Sequence, residues 1–131
     1  MGFGDTTSAE VEAVATAIVD AAYKIHKRFG PGLLESAYRV CLAHELRTRG
    51  FTVQCEVAMP LEYEGVHLDC GFRIDLLVAD LVIVEVKAVA DFHPVHEAQL
   101  ITYLKLTGIR LGILINFNKK FIKDGIERVA L

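Results

Sequence analysis

Apolar positions along this chain follow two periods, and the change between them falls at residue 51. Val11, Val14, Ala15, Ile18, Val19, Ala22 and Ile25 recur at helical spacing, behind a Thr7-Ser8-Ala9-Glu10 stretch that fits a capping box. FGPG at 29–32 ends this helix, because Pro31 cannot continue it and the glycines allow a sharp turn. A second helix is predicted from Leu33 to Arg49, with Gly50 as its cap. From Phe51 the period becomes two. Phe51–Glu56 and Met59–Tyr63, then Val66–Val78, then Leu81–Val89 read as strands, with YEG and VAD as hairpin connections. Asp91–Thr107 is helical again, between His93-Pro94 and Gly108. Ile109–Phe117 is a long aliphatic strand, NKK a polar turn, and Ile126–Leu131 an edge strand. The order α-α-β-β-β-α-β-β predicts an α/β domain with a mixed sheet and helices on its faces. No repeat, linker or low-complexity tract divides it, so residues 1–131 are expected to form one domain.

The strand LVIVEVKAV at 81–89 carries two charges where its neighbours belong in an interior. Side chains two apart share a strand face, so Glu85 and Lys87 point one way and Val82, Val84 and Val86 the other. Asp75 is the last charge of the preceding strand. It lands on the Glu85 face only if the connecting loop has an odd length, such as Ala79-Asp80-Leu81; a two-residue turn sends it to the opposite face. On the second helix, Glu35 shares a stripe with Tyr38, Leu42 and Leu46, which turns it inward. On the third, Gln99 and Tyr103 stack at a spacing of four, with His96 one turn ahead. His96 has no other histidine at ligand spacing and is not expected to bind metal.

Each feature also has a plain reading. Glu35 could complement a helix dipole, Glu85 and Lys87 could pair on an exposed face, and Gln99 and Tyr103 could edge a core. Taken jointly, three carboxylates converging on one lysine leave uncompensated negative charge, and an unpaired buried ion costs several kcal/mol. A divalent cation with hard oxygen ligands is the usual remedy, and carboxylates suit Mg²⁺ or Mn²⁺.

Composition narrows the function classes. With 53% hydrophobic and 24% charged residues the chain is not disordered, and a net charge of −3 does not suit gripping nucleic acid through bulk charge. Local patches must then supply the positive field. The candidates for phosphate contact are Lys24, Lys27, Arg28, Arg73, Lys119, Lys120 and Lys123. Cys41, Cys55 and Cys70 form no CxxC pair, and two of them lie in stretches that read as core. With no signal-like opening and no apolar run of membrane length, a reduced cytoplasmic compartment and no membrane partner are expected.

Asp75, Glu85-Val86-Lys87 and Gln99…Tyr103 together resemble the D…ExK…QxxxY arrangement of the PD-(D/E)xK nuclease superfamily. GLLESAY at 32–38 is similar to the signature of the small bacterial GxxExxY proteins, a branch of that superfamily, through Gly32, Glu35 and Tyr38. The resemblance spans nearly the whole chain and implies a restriction-endonuclease-like core. It implies that Asp75, Glu85 and the Val86 carbonyl bind Mg²⁺ or Mn²⁺, with Glu35 completing the site or holding a second ion. Lys87 would orient or activate the attacking water and stabilise developing charge. Gln99 would position the water or Lys87, with Tyr103 packed behind it and Tyr38 in support. Ile74 stands where the motif's name has proline. The implied activity is hydrolysis of phosphodiester bonds in nucleic acid, DNA ahead of RNA. Two rival readings stay open: a binding module or subunit that keeps the fold without the chemistry, and a phosphoesterase acting on a small nucleotide.

Overall fold

The computed structural model describes residues 2–69 and 71–131, with backbone alone for 2–7. Helices α1 (Gly2–Phe29) and α2 (Glu35–Thr48) open the chain. Strands β1 (Val53–Ala58), β2 (Leu61–Tyr63), β3 (Val66–Leu68), β4 (Arg73–Val78) and β5 (Val82–Lys87) follow. Helix α3 (Pro94–Thr107), β6 (Leu111–Asn116), a single 3₁₀ turn and β7 (Ile126–Ala130) complete the fold. It is the mixed α/β architecture expected from the sequence. Five strands form one sheet in the order β1-β4-β5-β6-β7, antiparallel except for the parallel β5–β6 pair that α3 connects. No described helix is long and apolar enough to cross a membrane.

Some boundaries differ from those read in the sequence. Residues 7–10 lie inside α1, so no free amides remain there for a capping box to satisfy. Among the described residues five strands precede α3 where the sequence reads as four segments, because Val66–Val78 is two strands with Gly71 at φ +75° between them. The order α-α-β-β-β-α holds only when β2 and β3, which lie outside the main sheet, are left out. β2 and β3 pair only with each other, as a hairpin outside the main sheet. Cys41 is half-buried and Cys55 exposed, while Cys70 lies outside the described residues.

The hydrophobic pattern fixes which face each helix covers. Val82, Val84 and Val86 pack with Leu76, Val78, Ile113 and Ile115 under α1 and α2. Ile83 and Leu114 pack under α3 with Leu100, Tyr103 and Leu104. Glu85 and Lys87 alternate with the valines and so follow Ile83, on the α3 side of the sheet. After β6 the chain doubles back through Gly125, where an added methyl would overlap the Asn116 backbone carbonyl. Gly125→Ala is expected to cost roughly 1–3 kcal/mol of stability, read as a lowered urea midpoint at unchanged slope.

Candidate active site

The site begins with the turn between β4 and β5. Leu81 N–H closes it by donating to the Val78 carbonyl at 3.0 Å, with Ala79 and Asp80 both left-handed at φ +54° and +56°. Leu81 is the extra residue. The register then pairs Val78 with Val82 and Leu76 with Val84, which sets Asp75 opposite Glu85. The three-residue connection that the shared face requires is therefore present.

At Asp75 the regular ladder stops and side chains replace backbone partners. The Asp75 N–H donates to Glu85 Oε2 at 2.9 Å, and the Val86 N–H donates to Asp75 Oδ2 at 2.8 Å. The neighbouring β1–β4 ladder is also interrupted here: pairing steps from Cys55–Leu76 to Val57–Ile74, and the skipped Glu56 is left-handed at φ +51°. Both carboxylates thus lie in a gap in the sheet. Each has its second oxygen outside these bonds. No buried side-chain oxygen among the described residues lacks a partner, so those second oxygens reach solvent.

The electrostatics are those of a crowded, desolvated pair. Glu85 is only 3% exposed, and burial, reinforced by the Asp75 charge, pushes its carboxyl up to about 8. Burial raises Asp75 as well, against the Val86 hydrogen bond that lowers it. Lys87 is half-buried and close enough to draw both back down, yet forms no ion pair of contact length among the described residues.

Glu35 reaches the same end of β5 from α2, accepting from the Ala88 N–H at 3.1 Å. The GPGLL turn aims it there. Gly32 sits at φ +117°, a conformation that side-chain-bearing residues rarely adopt, and among the described residues no neighbour is near enough to give it a packing role. The Tyr38 hydroxyl donates to the Gly30 carbonyl at 2.5 Å and accepts from the Leu33 N–H at 3.1 Å. Its ring stacks on Phe117 with centroids 4.3 Å apart. Tyr38 therefore clamps the turn whose end carries Glu35.

Gln99 and Tyr103 stand together on α3, lining a cavity of about 290 Å³ with Leu61 and Phe72. Burial, then the nearby Glu85 and Asp75 charges, raise the Tyr103 hydroxyl, so this ring lies close to the carboxylate pair. His96 accepts at Nδ1 from the His93 N–H (3.1 Å), a helix-capping role. Burial and the Lys87 charge keep its ring below the usual histidine range.

Two residues near the site were not singled out from the sequence. Arg39, four residues beyond Glu35, lowers both Asp75 and Glu85 and meets Glu56 at 3.7 Å. The spacing of four from an inward-facing glutamate was the available signal. Asn116 is fully buried and binds Val89 twice, accepting from its N–H (3.1 Å) and donating to its carbonyl (2.7 Å). It ties the exit of β5 to the end of β6.

The donor set fits a hard cation in a limited way. Among the described residues no three His, Cys, Asp or Glu side chains form a ready-made cage. Glu35 is engaged at Ala88, which leaves Asp75 and Glu85 as the central pair. Mg²⁺ is commonly held by one or two carboxylates with water and substrate phosphate supplying the rest. A pair of desolvated, mutually repelling carboxylates with solvent-reaching oxygens meets that requirement.

Of the seven candidate phosphate contacts, Lys24 is paired with Glu45 and Lys119 with Asp91, while Arg73 stands at the start of β4. Lys27, Arg28, Lys120 and Lys123 are the remainder, on the end of α1 and the loop after β6.

No curated protein and no solved structure matches the chain. The family profile of the PD-(D/E)XK nuclease superfamily matches residues 12–129, nearly the whole chain and all of the elements that build this site. With that match and the mixed sheet carrying Asp75, Glu85 and Lys87 on one face, the chain belongs to the PD-(D/E)XK nuclease superfamily, whose members are usually metal-dependent nucleases.

Proposed function

We propose that this chain is a divalent-metal-dependent nuclease that hydrolyses phosphodiester bonds in DNA, of the GxxExxY branch. The observation that carries the reading is the Asp75–Glu85 pair, held by each other's neighbouring amides where the β4–β5 ladder opens, with Lys87 alongside. A structural ion pair would have closed Lys87 onto one carboxylate.

In this reading Asp75, Glu85 and the Val86 carbonyl hold Mg²⁺ or Mn²⁺, with Glu35 at the edge of the site. A bound divalent cation supplies polarisation of phosphate oxygens and a lowered pKa for water. The chain's own residues supply position and charge. Lys87 presents an ammonium to the scissile phosphate and steadies the charge that grows on it. Glu35 fixes the Ala88 amide next to Lys87, and Tyr38 fixes Glu35. Gln99 and Tyr103 form the wall on the α3 side, and Arg39 adds a second cation near the pair.

The test is incubation of the purified chain with supercoiled plasmid. Nicked and linear forms should accumulate with millimolar Mg²⁺ or Mn²⁺, should not in EDTA, and should be lost in Asp75→Asn. The same metals should raise the melting temperature of the native chain, and not that of Asp75→Asn. An intact plasmid together with metal-independent melting would overturn the nuclease reading and leave a binding module of the same fold.

A further inference from the structure

The loop after β6 and the last turns of α1 build a second surface. Tyr23, Lys24 and Lys27 from α1 and Lys120, Phe121 and Lys123 from the loop line one open cavity of about 360 Å³. Two aromatic rings stand in it unburied: Tyr23 is 45% exposed and Phe121 57%. Lys27, Lys120 and Lys123 form no ion pair among the described residues. Lys120 lies over the Phe121 ring at 5.5 Å. The loop is held rather than loose, because His26 Nε2 bonds the Lys119 carbonyl at 2.8 Å.

The chain links this surface to the strand that carries the proposed active site, with the surface on the α1 side of the sheet and the Glu85 and Lys87 side chains on the α3 side. Lys87 on β5 is the register partner of Asn116 on β6, and the Phe117 N–H donates to the Lys87 carbonyl at 2.9 Å. Three residues later the chain reaches Lys120.

We infer that this surface binds a single-stranded segment of nucleic acid, with a base against Phe121 or Tyr23 and phosphates on the lysines. Concentrating unpaired lysines in one place offsets the net charge of −3 where the backbone must approach. Duplex bases are stacked on one another and offer no face to an exposed ring, whereas single-stranded bases do. The cavity is at the small end of ligand sites, suited to one nucleotide and too small for a duplex. The inference rests on the nuclease reading for its class of partner and narrows that partner to single strands, frayed ends or flaps.

Fluorescence anisotropy in EDTA, where no cleavage occurs, tests it with a labelled single-stranded oligonucleotide and the duplex of the same sequence. The single strand should bind at least about tenfold more tightly. Phe121→Ala should weaken single-strand binding about tenfold and leave duplex binding unchanged, since one stacked base is lost. Replacing Lys27, Lys120 and Lys123 together by Gln should flatten the log–log salt dependence by about two, as three single-strand phosphate contacts disappear. All four side chains are solvent-facing, and unchanged circular dichroism confirms that the variants fold. Equal affinity for duplex and single strand, or a Phe121→Ala protein that binds single strands normally, overturns the inference. Either result can stand beside metal-dependent plasmid cleavage, so this surface fails independently of the nuclease reading.

Discussion

A Lys87→Ala protein is expected to turn over nucleic acid about 10²-fold or more slowly, a loss of roughly 3 kcal/mol of transition-state stabilisation. Lys87 is near enough to Glu85 and Asp75 to draw both carboxyls down, but it forms no contact-length ion pair with either among the described residues. Its ammonium is therefore available to a substrate phosphate. A structural Lys87 predicts something else, because removing the partner of a buried charge costs about 3–5 kcal/mol. The site argues against that cost. Without metal, Glu85 holds its proton near neutral pH and keeps the Asp75 amide, so no bare charge is stranded when Lys87 goes. Melting of the metal-free variant should stay within a few degrees of the native chain while turnover collapses. Metal affinity should hardly fall, since no ligand is removed. Normal cleavage by a folded Lys87→Ala protein sinks the mechanism, and collapse of the metal-free fold sinks the distinction drawn here.

How much of this arrangement was legible depended on whether one residue's period carried it. The placement of Asp75 with Glu85 follows from a two-residue period plus a loop of odd length. The period was readable, whereas VADL left a three-residue loop and a two-residue turn both open until the register was known. Glu35 was legible for the same kind of reason, since Tyr38, Leu42 and Leu46 on its stripe are all buried. What the period does not encode is how the sheet breaks. The left-handed Glu56 and the carboxylate-for-carbonyl exchange at Asp75 leave no pattern in the alternation, because each replaces a backbone bond and leaves the neighbouring side chains in place. The β2–β3 hairpin at YEG was readable, but the break between β3 and β4 was hidden within the strand-like run Val66–Val78 for want of a strong breaker, Gly71 alone marking the join. Arg39 reads as ordinary helix surface until Glu56 and the two carboxylates are known to lie near it.

Proton release should accompany metal binding, and the metal-free protein should lose stability as pH rises from about 4.5 to about 8. Glu85 titrates near 4.5 when unfolded and near 8 in the fold, for which burial is the first cause and Asp75 the second. Across that window the folded chain holds a proton that the unfolded chain has given up. Stability therefore falls with pH there, is complete with respect to this group below 4.5, and levels off above 8. At about 1.4 kcal/mol per pH unit the full contribution is on the order of 5 kcal/mol. Asp75, also raised, acts with the same sign. Glu85→Gln has no such proton and should flatten most of the slope in urea-melt stability between pH 5 and 8. A cation on this pair needs both carboxylates ionised, so at pH 6–7 its uptake must expel the Glu85 proton. Apparent affinity should then rise by up to tenfold per pH unit and become level above about 8. Calorimetric titration with Mg²⁺ or Mn²⁺ in two buffers of different ionisation enthalpy reads the proton count directly. The expected values are close to one proton released at pH 6.5 and none at pH 9. Binding with the same affinity at both pH values and no proton released would place the cation somewhere other than Asp75 and Glu85. Such a result would remove the physical reason for two charged residues of opposite sign at the end of a buried strand.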